Sequence, residues 1–383
     1  MKDISIYFRP VTPEFKNEQH SLGKKIFVHT EDSFPEFKKK GIAIFYVPEN
    51  RQSDFQNRPN DAFRNSLYDL FPGSNWKHTI YDLGTIHPGK SVEDTYHAVT
   101  AVCQELIKAN IVPFIIGGTQ DLTLPLYRAY EKLEQLINLT TVDNRLDLGS
   151  TEEEVRIDGW LSHILLHKPC FLFNYSNLGA QSHYISPATI DLFNDLYFDV
   201  LRLGSLNTNI KLSEPIMRNT DILSFDLNSI RCADHGDQTY ASPNGFFAQE
   251  SCQLMRYAGI SDKITSIGIF NYVSENPSAA LSELIAQMIW YFIDGYENRK
   301  GDFPVGSRRG YKKYRVTLEE LNEEIVFSKS DKSSRWWMEV PYPGVKGHKF
   351  ERHQMVPCSY EEYQEAMKGE IPDLWWKTYQ KLC

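Results

Sequence analysis

Asp143, Asp147 and Asp226 stand at or just past the ends of short apolar runs, Ile137–Val142 and Asp221–Leu227. Gln120 and Asp121 follow a third run, Phe114-Ile115-Ile116, across Gly117-Gly118. Runs of this length, closed by glycine or aspartate, read as buried strands. Ligands of open α/β sheets gather at the carboxyl ends of the strands. The spacing can therefore bring Gln120-Asp121, Asp143/Asp147 and Asp226/Asn228 to one site. Carboxylates and an amide oxygen in such a place suit a hard divalent cation. Taken one at a time, each aspartate fits a plainer role, closing its own turn at a strand end.

Alternating elements must position these groups. Gly41–Val47, closed by Pro48, is a continuous apolar strand, and further strands are expected over 76–83, 170–175, 200–204 and 263–271. Helices are expected over 61–70, 91–109, 122–136, 160–167, 247–258 and 281–292, with some helix around 13–22. Ser91 with Asp94 forms a capping box, and Val92, Tyr96, Val99, Cys103 and Leu106 follow at helical spacing. Strands alternating with helices imply a parallel sheet covered on both faces. The chain divides into an N-terminal extension (1–40), an α/β core (41–300) and a C-terminal extension (301–383). The last holds a basic cluster (Arg308, Arg309, Lys312, Lys313, Arg315) and four of the seven tryptophans: 336, 337, 375 and 376. So many aromatic residues are expected to pack on the core or form an interface. Ser359 with Glu362 makes a second capping box, with Gly369 as its stop.

Composition narrows the function classes. A net charge of −9 argues against a nucleic-acid surface and against attraction to anionic membranes. No stretch approaches the roughly 18 apolar residues needed to span a bilayer. The first residues lack a signal-peptide core. Six scattered cysteines without a Cys-x-x-Cys suit reduced thiols in a cytoplasm. Glu152-Glu153-Glu154 reads as a solvated run.

Three motifs in order, Gly117-Gly118-Thr119-Gln120-Asp121, Asp143-Asn144-Arg145-Leu146-Asp147 and Ser224-Phe225-Asp226-Leu227-Asn228, resemble those of the ureohydrolase family of arginase, agmatinase and formimidoylglutamase. Family members carry Gly-Gly-x-His-Ser/Asp, Asp-x-His-x-Asp and Ser-x-Asp-x-Asp, whose six ligands hold two manganese ions. The resemblance spans residues 41–299, and Asn177-Leu-Gly-Ala-Gln181 looks most like the formimidoylglutamase branch. It implies a three-layer α/β/α arginase-like fold with a mainly parallel sheet of about eight strands, and a homo-oligomer.

The departures fall on the chemistry. Gln120 and Arg145 replace histidines, Asn228 replaces an aspartate, and Asn271 stands where the family's substrate-holding glutamate is expected. The loop after the first core strand, through Arg58-Pro59-Asn60, lacks the family's glycines. Two bridged metals normally supply hydroxide at neutral pH. Here a two-manganese cluster is not expected. At most one divalent cation (manganese, magnesium or calcium) would sit on Gln120, Asp143, Asp147 and Asp226, and no cofactor is the leading expectation. The relic of the site comprises Asp143, Arg145, Asp147, Asp226 and Asn228. The Arg145 guanidinium is expected among the three aspartates in place of metal. His163 and Asn271 are candidate substrate contacts, although His163 reads equally well as a satisfied helix histidine. The implied function is non-catalytic binding of an unidentified small molecule or protein. The alternative is hydrolysis of linear amidine or guanidino C–N bonds with one metal.

Overall fold

The computed structural model describes residues 2–12, 19–51, 61–151, 155–236, 242–273, 277–304, 309–318, 323–341 and 350–382. Its main sheet is built from β1 (Phe8–Arg9), β2 (Phe27–Val28), β3 (Gly41–Val47), β4 (Thr79–Ile86), β5 (Ile111–Gly117), β6 (Ile137–Val142), β7 (Leu172–Ala180), β8 (Asp199–Arg202), β9 (Ile222–Asp226) and β10 (Ser266–Phe270). These ten strands run in the order β1-β4-β3-β5-β10-β9-β6-β7-β8, with β2 also paired to β4. Every pairing is parallel except β1 with β4. The two strands beyond the expected eight are the two-residue pieces β1 and β2, which lie in the N-terminal stretch where apolar periodicity is weak.

The apolar runs are continuous because both faces of the sheet are buried. Along β3, Ile42, Ile44 and Tyr46 enter one core with Phe63, Met217, Leu254, Met255 and Ile289 from helices on that side. Ala43, Phe45 and Val47 enter the opposite core with Tyr96, Val99, Leu126, Trp160 and Phe193. The result is three layers, helices on each face of a mainly parallel sheet. Among the described residues no helix is long and apolar enough to cross a membrane.

Most elements stand close to their expected places. Helix Val92–Lys108 has the Ser91–Asp94 capping box, with Asp94 N–H donating to Ser91 Oγ (3.2 Å) and Ser91 N–H to Asp94 Oδ2 (2.9 Å). The strand expected over 76–83 is Thr79–Ile86, set three residues later. The strand expected over 170–175 runs on to Ala180, and helix Thr123–Glu131 stops short of 136. Of the helix expected around 13–22, residues 13–18 lie outside the described residues, and 22–24 form a 3-10 turn. Residues 52–60, Glu152–Glu154 and Arg308 also lie outside them.

The C-terminal segment contains a sheet that the sequence reading lacks: β11 (Tyr311–Leu318), β12 (Glu323–Ser330), β13 (Trp336–Glu339) and β14 (Met355–Cys358), antiparallel throughout. Lys312, Lys313 and Arg315 are exposed on β11, an edge strand, where charge discourages pairing with another chain. Trp336, Trp337 and Trp375 are buried, whereas Trp376 is 43% exposed. Helix Tyr360–Met367 carries the Ser359–Glu362 capping box, and Gly369 follows at φ +88°.

Arg218, from helix Ser213–Asn219, fastens this segment to the main sheet's helices. It is 3% exposed, donates to the carbonyls of Trp336 (2.9 Å) and Cys358 (2.7 Å), pairs with Glu214 (2.9 Å) and stacks on Trp337. Arg218→Ala strands two carbonyls and leaves Glu214 with Arg335 as its ion-pair partner (3.2 Å), and should cost about 3 kcal/mol. Chemical denaturation would measure it. A loss below about 1 kcal/mol, within the spread of ordinary substitutions, would contradict this account.

Candidate functional site

Strand order assembles the site. β5, β10, β9 and β6 are neighbours in the sheet, and parallel strands lie about 4.8 Å apart. Their carboxyl ends carry Gln120, Asn271, Asp226 and Asp143 in that order. The chain after β5 must pass close to the loop after β3. A Cβ on Gly118 would lie 1.8 Å from the Glu49 carbonyl oxygen, so this position requires glycine. That close turn drops Gln120 into a 3-10 turn, Gln120–Leu122, facing the carboxylates.

Asp143, Asp147 and Asp226 are buried together, as the spacing requires, with exposures of 2%, 9% and 5%. Asp143 Oδ1 accepts from Arg145 N–H and Asp226 Oδ1 from Asn228 N–H, both at 2.8 Å, so each closes its own turn. The remaining oxygens face inward. With the Gln120 amide oriented to satisfy its neighbours, its nitrogen donates to Asp143 Oδ2 (3.0 Å) and Asp147 Oδ2 (3.2 Å), and its oxygen accepts from Ser224 Oγ (3.2 Å). Trp160 Nε1–H donates to Asp147 Oδ2 (2.8 Å), and Asn271 Nδ2–H to Asp226 Oδ1 (2.7 Å). Asn271 reaches this position from a left-handed backbone, φ +65°, which asparagine tolerates.

Burial of adjacent carboxyls sets the electrostatics. Asp143 is pushed well above the ordinary carboxylate range, by burial first and then by Asp147 and Asp226. Asp147 is pushed up to about 7 by burial and Asp226, and the Trp160 bond offsets part of this. Asp226 is pushed up to about 6 by burial, against the Asn271 bond. Next to them, burial raises Asp121 to about 6, and it accepts a hydrogen bond from Tyr96 Oη. The site holds protons as well as negative charge near neutrality.

Arg145 is not where the sequence reading puts it. It is exposed, its guanidinium lies 4.3 Å over the Tyr184 ring, and it forms no ion pair with any described residue. The physical reason is competition. Gln120, Trp160 and Asn271 already donate to the three carboxyl groups at less desolvation cost than a buried guanidinium. Arg145 still favours the charged forms of Asp147 and Asp226 from the rim. His163 has Arg128 and Glu93 as its charged neighbours rather than the aspartates, and its buried Nε2 has no partner among the described residues. It is thus not a fully satisfied helix histidine. Asn228 joins the site through its backbone N–H and its side-chain amide, both bonded to Asp226, and its carbonyl accepts from Asn144 (3.0 Å). Trp160 is the site residue that sequence reasoning missed. It reads as the apolar start of a helix, and nothing in its spacing marks the indole N–H as a partner for Asp147.

The residues present fit a two-manganese cluster poorly. Metal ligands must offer lone pairs, whereas Asp143 Oδ2 and Asp147 Oδ2 accept from the Gln120 amide and the Trp160 indole, Asn271 donates to the turn-closing Asp226 Oδ1, and Arg145 has no acceptor to offer. Among the described residues no group of three or more His, Cys, Asp or Glu side chains is arranged to hold a metal ion.

No protein-family model matches the chain, and no curated protein matches it. Solved structures do. A formiminoglutamase of Trypanosoma cruzi with Mn2+ has a TM-score of 0.63 at 18% identity, over 70% of this chain and 97% of its own. The formimidoylglutamase of Bacillus subtilis has a TM-score of 0.64 at 16% identity, over 77% and 98%. The agmatine ureohydrolase of Thermoplasma volcanium has a TM-score of 0.56 at 17% identity, over 70% and 94%. By architecture, then, the chain carries the fold of the arginase/ureohydrolase superfamily, the one shared by the formimidoylglutamase and agmatine ureohydrolase structures it matches.

Proposed function

We propose that this is an arginase-fold protein whose metal position has become a hydrogen-bonded carboxyl cluster, and that it binds a small molecule or protein instead of hydrolysing C–N bonds. One observation carries the reading. The Gln120 amide spans Asp143 and Asp147, donating to oxygens that would have to face a metal. The Asn271 bond to Asp226 supports it, because the residue at the place of the expected cation-holding glutamate is neutral and turned into the cluster. Without a polarising metal, water at this place keeps its ordinary high pKa and no hydroxide forms near neutral pH. The net charge of −9 favours a partner other than nucleic acid or an anionic membrane. A self-associating cytoplasmic protein is part of the same proposal.

A second reading is a one-metal hydrolase of linear amidines or guanidino compounds. It draws on the Gln120 amide, which on reversal would present its oxygen to Asp143 and Asp147 beside a hard cation. One experiment separates the two. The purified protein is loaded with excess manganese, freed of unbound metal and analysed for metal content. Release of urea, ammonia or formamide from arginine, agmatine and formiminoglutamate is then assayed. The expected result is little retained metal and no turnover. Turnover of about 1 s⁻¹ or more, an ordinary enzyme rate, would overturn the binding-protein reading.

A further inference from the structure

At the other end of the sheet from the carboxyl cluster, His353 sits where the C-terminal segment meets the amino-terminal ends of β6, β7 and β9. It is 3% exposed, and its ring stacks on Phe173 of β7 at 3.9 Å between centroids and 23° between planes. Neither ring nitrogen makes a hydrogen bond of good geometry with a described residue, and the nearby Leu136 carbonyl, a weak acceptor for the ring, is already engaged by Arg352. A neutral imidazole so placed leaves one N–H unsatisfied, which is a modest cost. An imidazolium would leave two N–H groups and a full charge unsatisfied.

The charged groups around it are named by element. Arg352 precedes it in the chain, Lys263 lies on the approach to β10, and Lys381 comes from the terminal helix Asp373–Leu382. All three disfavour a further positive charge. The acids nearby are engaged elsewhere. Asp221, just before β9, pairs with Arg352 (2.5 Å) and Lys263 (3.5 Å), and accepts from Asn138 N–H on β6 (2.8 Å). Asp199, on β8, pairs with Lys377 of the terminal helix (3.9 Å). Lys381 donates to the Asn174 side-chain oxygen on β7, Arg352 also donates to the Leu136 carbonyl (3.3 Å), and Glu351 is exposed.

We propose that His353 is an acid-sensitive latch: while its ring is neutral the C-terminal segment stays docked on the main sheet, and proton uptake by the ring releases that segment with the main sheet still folded. The geometry supplies the driving force. A proton arriving on the ring meets three cations and, among the described residues, the Leu136 carbonyl that Arg352 already engages, so it is accommodated best by moving the ring out. Burial, then Lys263, Arg352 and Lys381, hold the docked imidazole well below its ordinary value of 6.5. The sign follows from linkage. Below about 6.5 the undocked histidine takes a proton that the docked one refuses, so the undocked population grows about tenfold per pH unit. Burial lowers Lys263 and Lys381 only to about 8, so both keep their charge throughout the acid range.

Hydrogen exchange on the full chain at pH 7.5, 6.5 and 5.5, corrected for the intrinsic rate, tests the proposal. Protection of β13 and β14 is expected to fall about fivefold between pH 6.5 and 5.5, and about tenfold between pH 7.5 and 5.5, while that of β5, β9 and β10 holds. His353→Phe keeps the stack on Phe173 and removes the titrating group, so protection of β13 and β14 should no longer depend on pH. Lys381→Gln retains a donor for Asn174 and removes one repelling cation, so release should move to lower pH. Loss of protection in β5, β9 and β10 together with β13 and β14 would overturn the latch, as would an unaltered acid response in His353→Phe. If His353→Phe fails to fold, an unchanged release pH in Lys381→Gln overturns it alone.

Discussion

Asp143→Asn is expected to raise the melting temperature of the chelator-treated protein by a few degrees at pH 8 and by much less at pH 5. Substituting a site residue usually weakens a protein, and here the expected sign is the reverse. In the fold Asp143, Asp147 and Asp226 are all raised, the last two to about 7 and about 6, from an ordinary value of 3.8. Between 3.8 and 7 the folded state therefore holds more protons than the unfolded one, and stability falls as pH rises. At pH 8 the fold carries crowded, buried negative charge. At pH 5 the carboxyls are largely protonated in the fold and most of the penalty is gone, the rest vanishing toward pH 3.8. Asparagine removes one of the charges, and its oxygen still accepts from the Arg145 N–H. The Gln120 amide can turn to accept from the new amide, since Ser224 Oγ, which also bonds Thr123 Oγ1 at 2.7 Å, can act as donor or acceptor. Melting temperatures of wild type and variant, compared at each pH, isolate this effect from the opposite acid response of His353. A lower melting temperature for Asp143→Asn at pH 8 would mean that the carboxylate is engaged by a cation rather than crowded by its neighbours.

Much of this architecture is legible in the sequence, because periodicity reports burial. The continuous run Gly41–Val47 implies a strand covered on both faces, and its side chains do divide between two cores. Capping boxes at Ser91 and Ser359 mark two helix starts correctly because they are local hydrogen-bond arrangements between neighbouring residues. The C-terminal sheet escapes such reading. Its strands β11 and β12 are rich in charge, with only one side of β11 turned inward, and β13 is four residues long. At the site, the gathering of Asp143, Asp147 and Asp226 follows from strand order and motif order. Orientation does not. Whether Arg145 turns inward or lies on Tyr184 depends on competition with Gln120, Trp160 and Asn271, each brought in by a different element, and spacing along the chain is silent on that. His163 illustrates the same limit, since helical spacing places it beside Trp160 but not which neighbours it meets.

The corrected position of Arg145 decides what would restore a metal centre. Arg145→His alone is expected to bring no manganese uptake, because the guanidinium already lies at the rim over Tyr184 and its removal frees no carboxyl oxygen. Gln120 is the residue in the way, since its amide nitrogen donates to both Asp143 and Asp147. Histidine there would exchange a donor for a lone pair, and a histidine at 145 would provide a second nitrogen ligand. An aspartate at 228 would add the fourth carboxylate, to offset the charge of a second cation. The triple variant Gln120→His, Arg145→His, Asn228→Asp is therefore expected to go from essentially no retained manganese to about two ions per chain, since imidazole and carboxylate together suit such a pair. The Asn271 amide can rotate away from Asp226, but the Trp160 indole is fixed by full burial and will compete for Asp147. Adding Trp160→Phe should accordingly tighten binding further. Metal analysis after manganese loading and gel filtration, with the manganese-dependent rise in melting temperature as a second readout, measures each variant. Two tightly held ions in the unmodified protein would sink the account at its base. Uptake by Arg145→His alone would show that the arginine, and not the Gln120 amide, keeps the metal out.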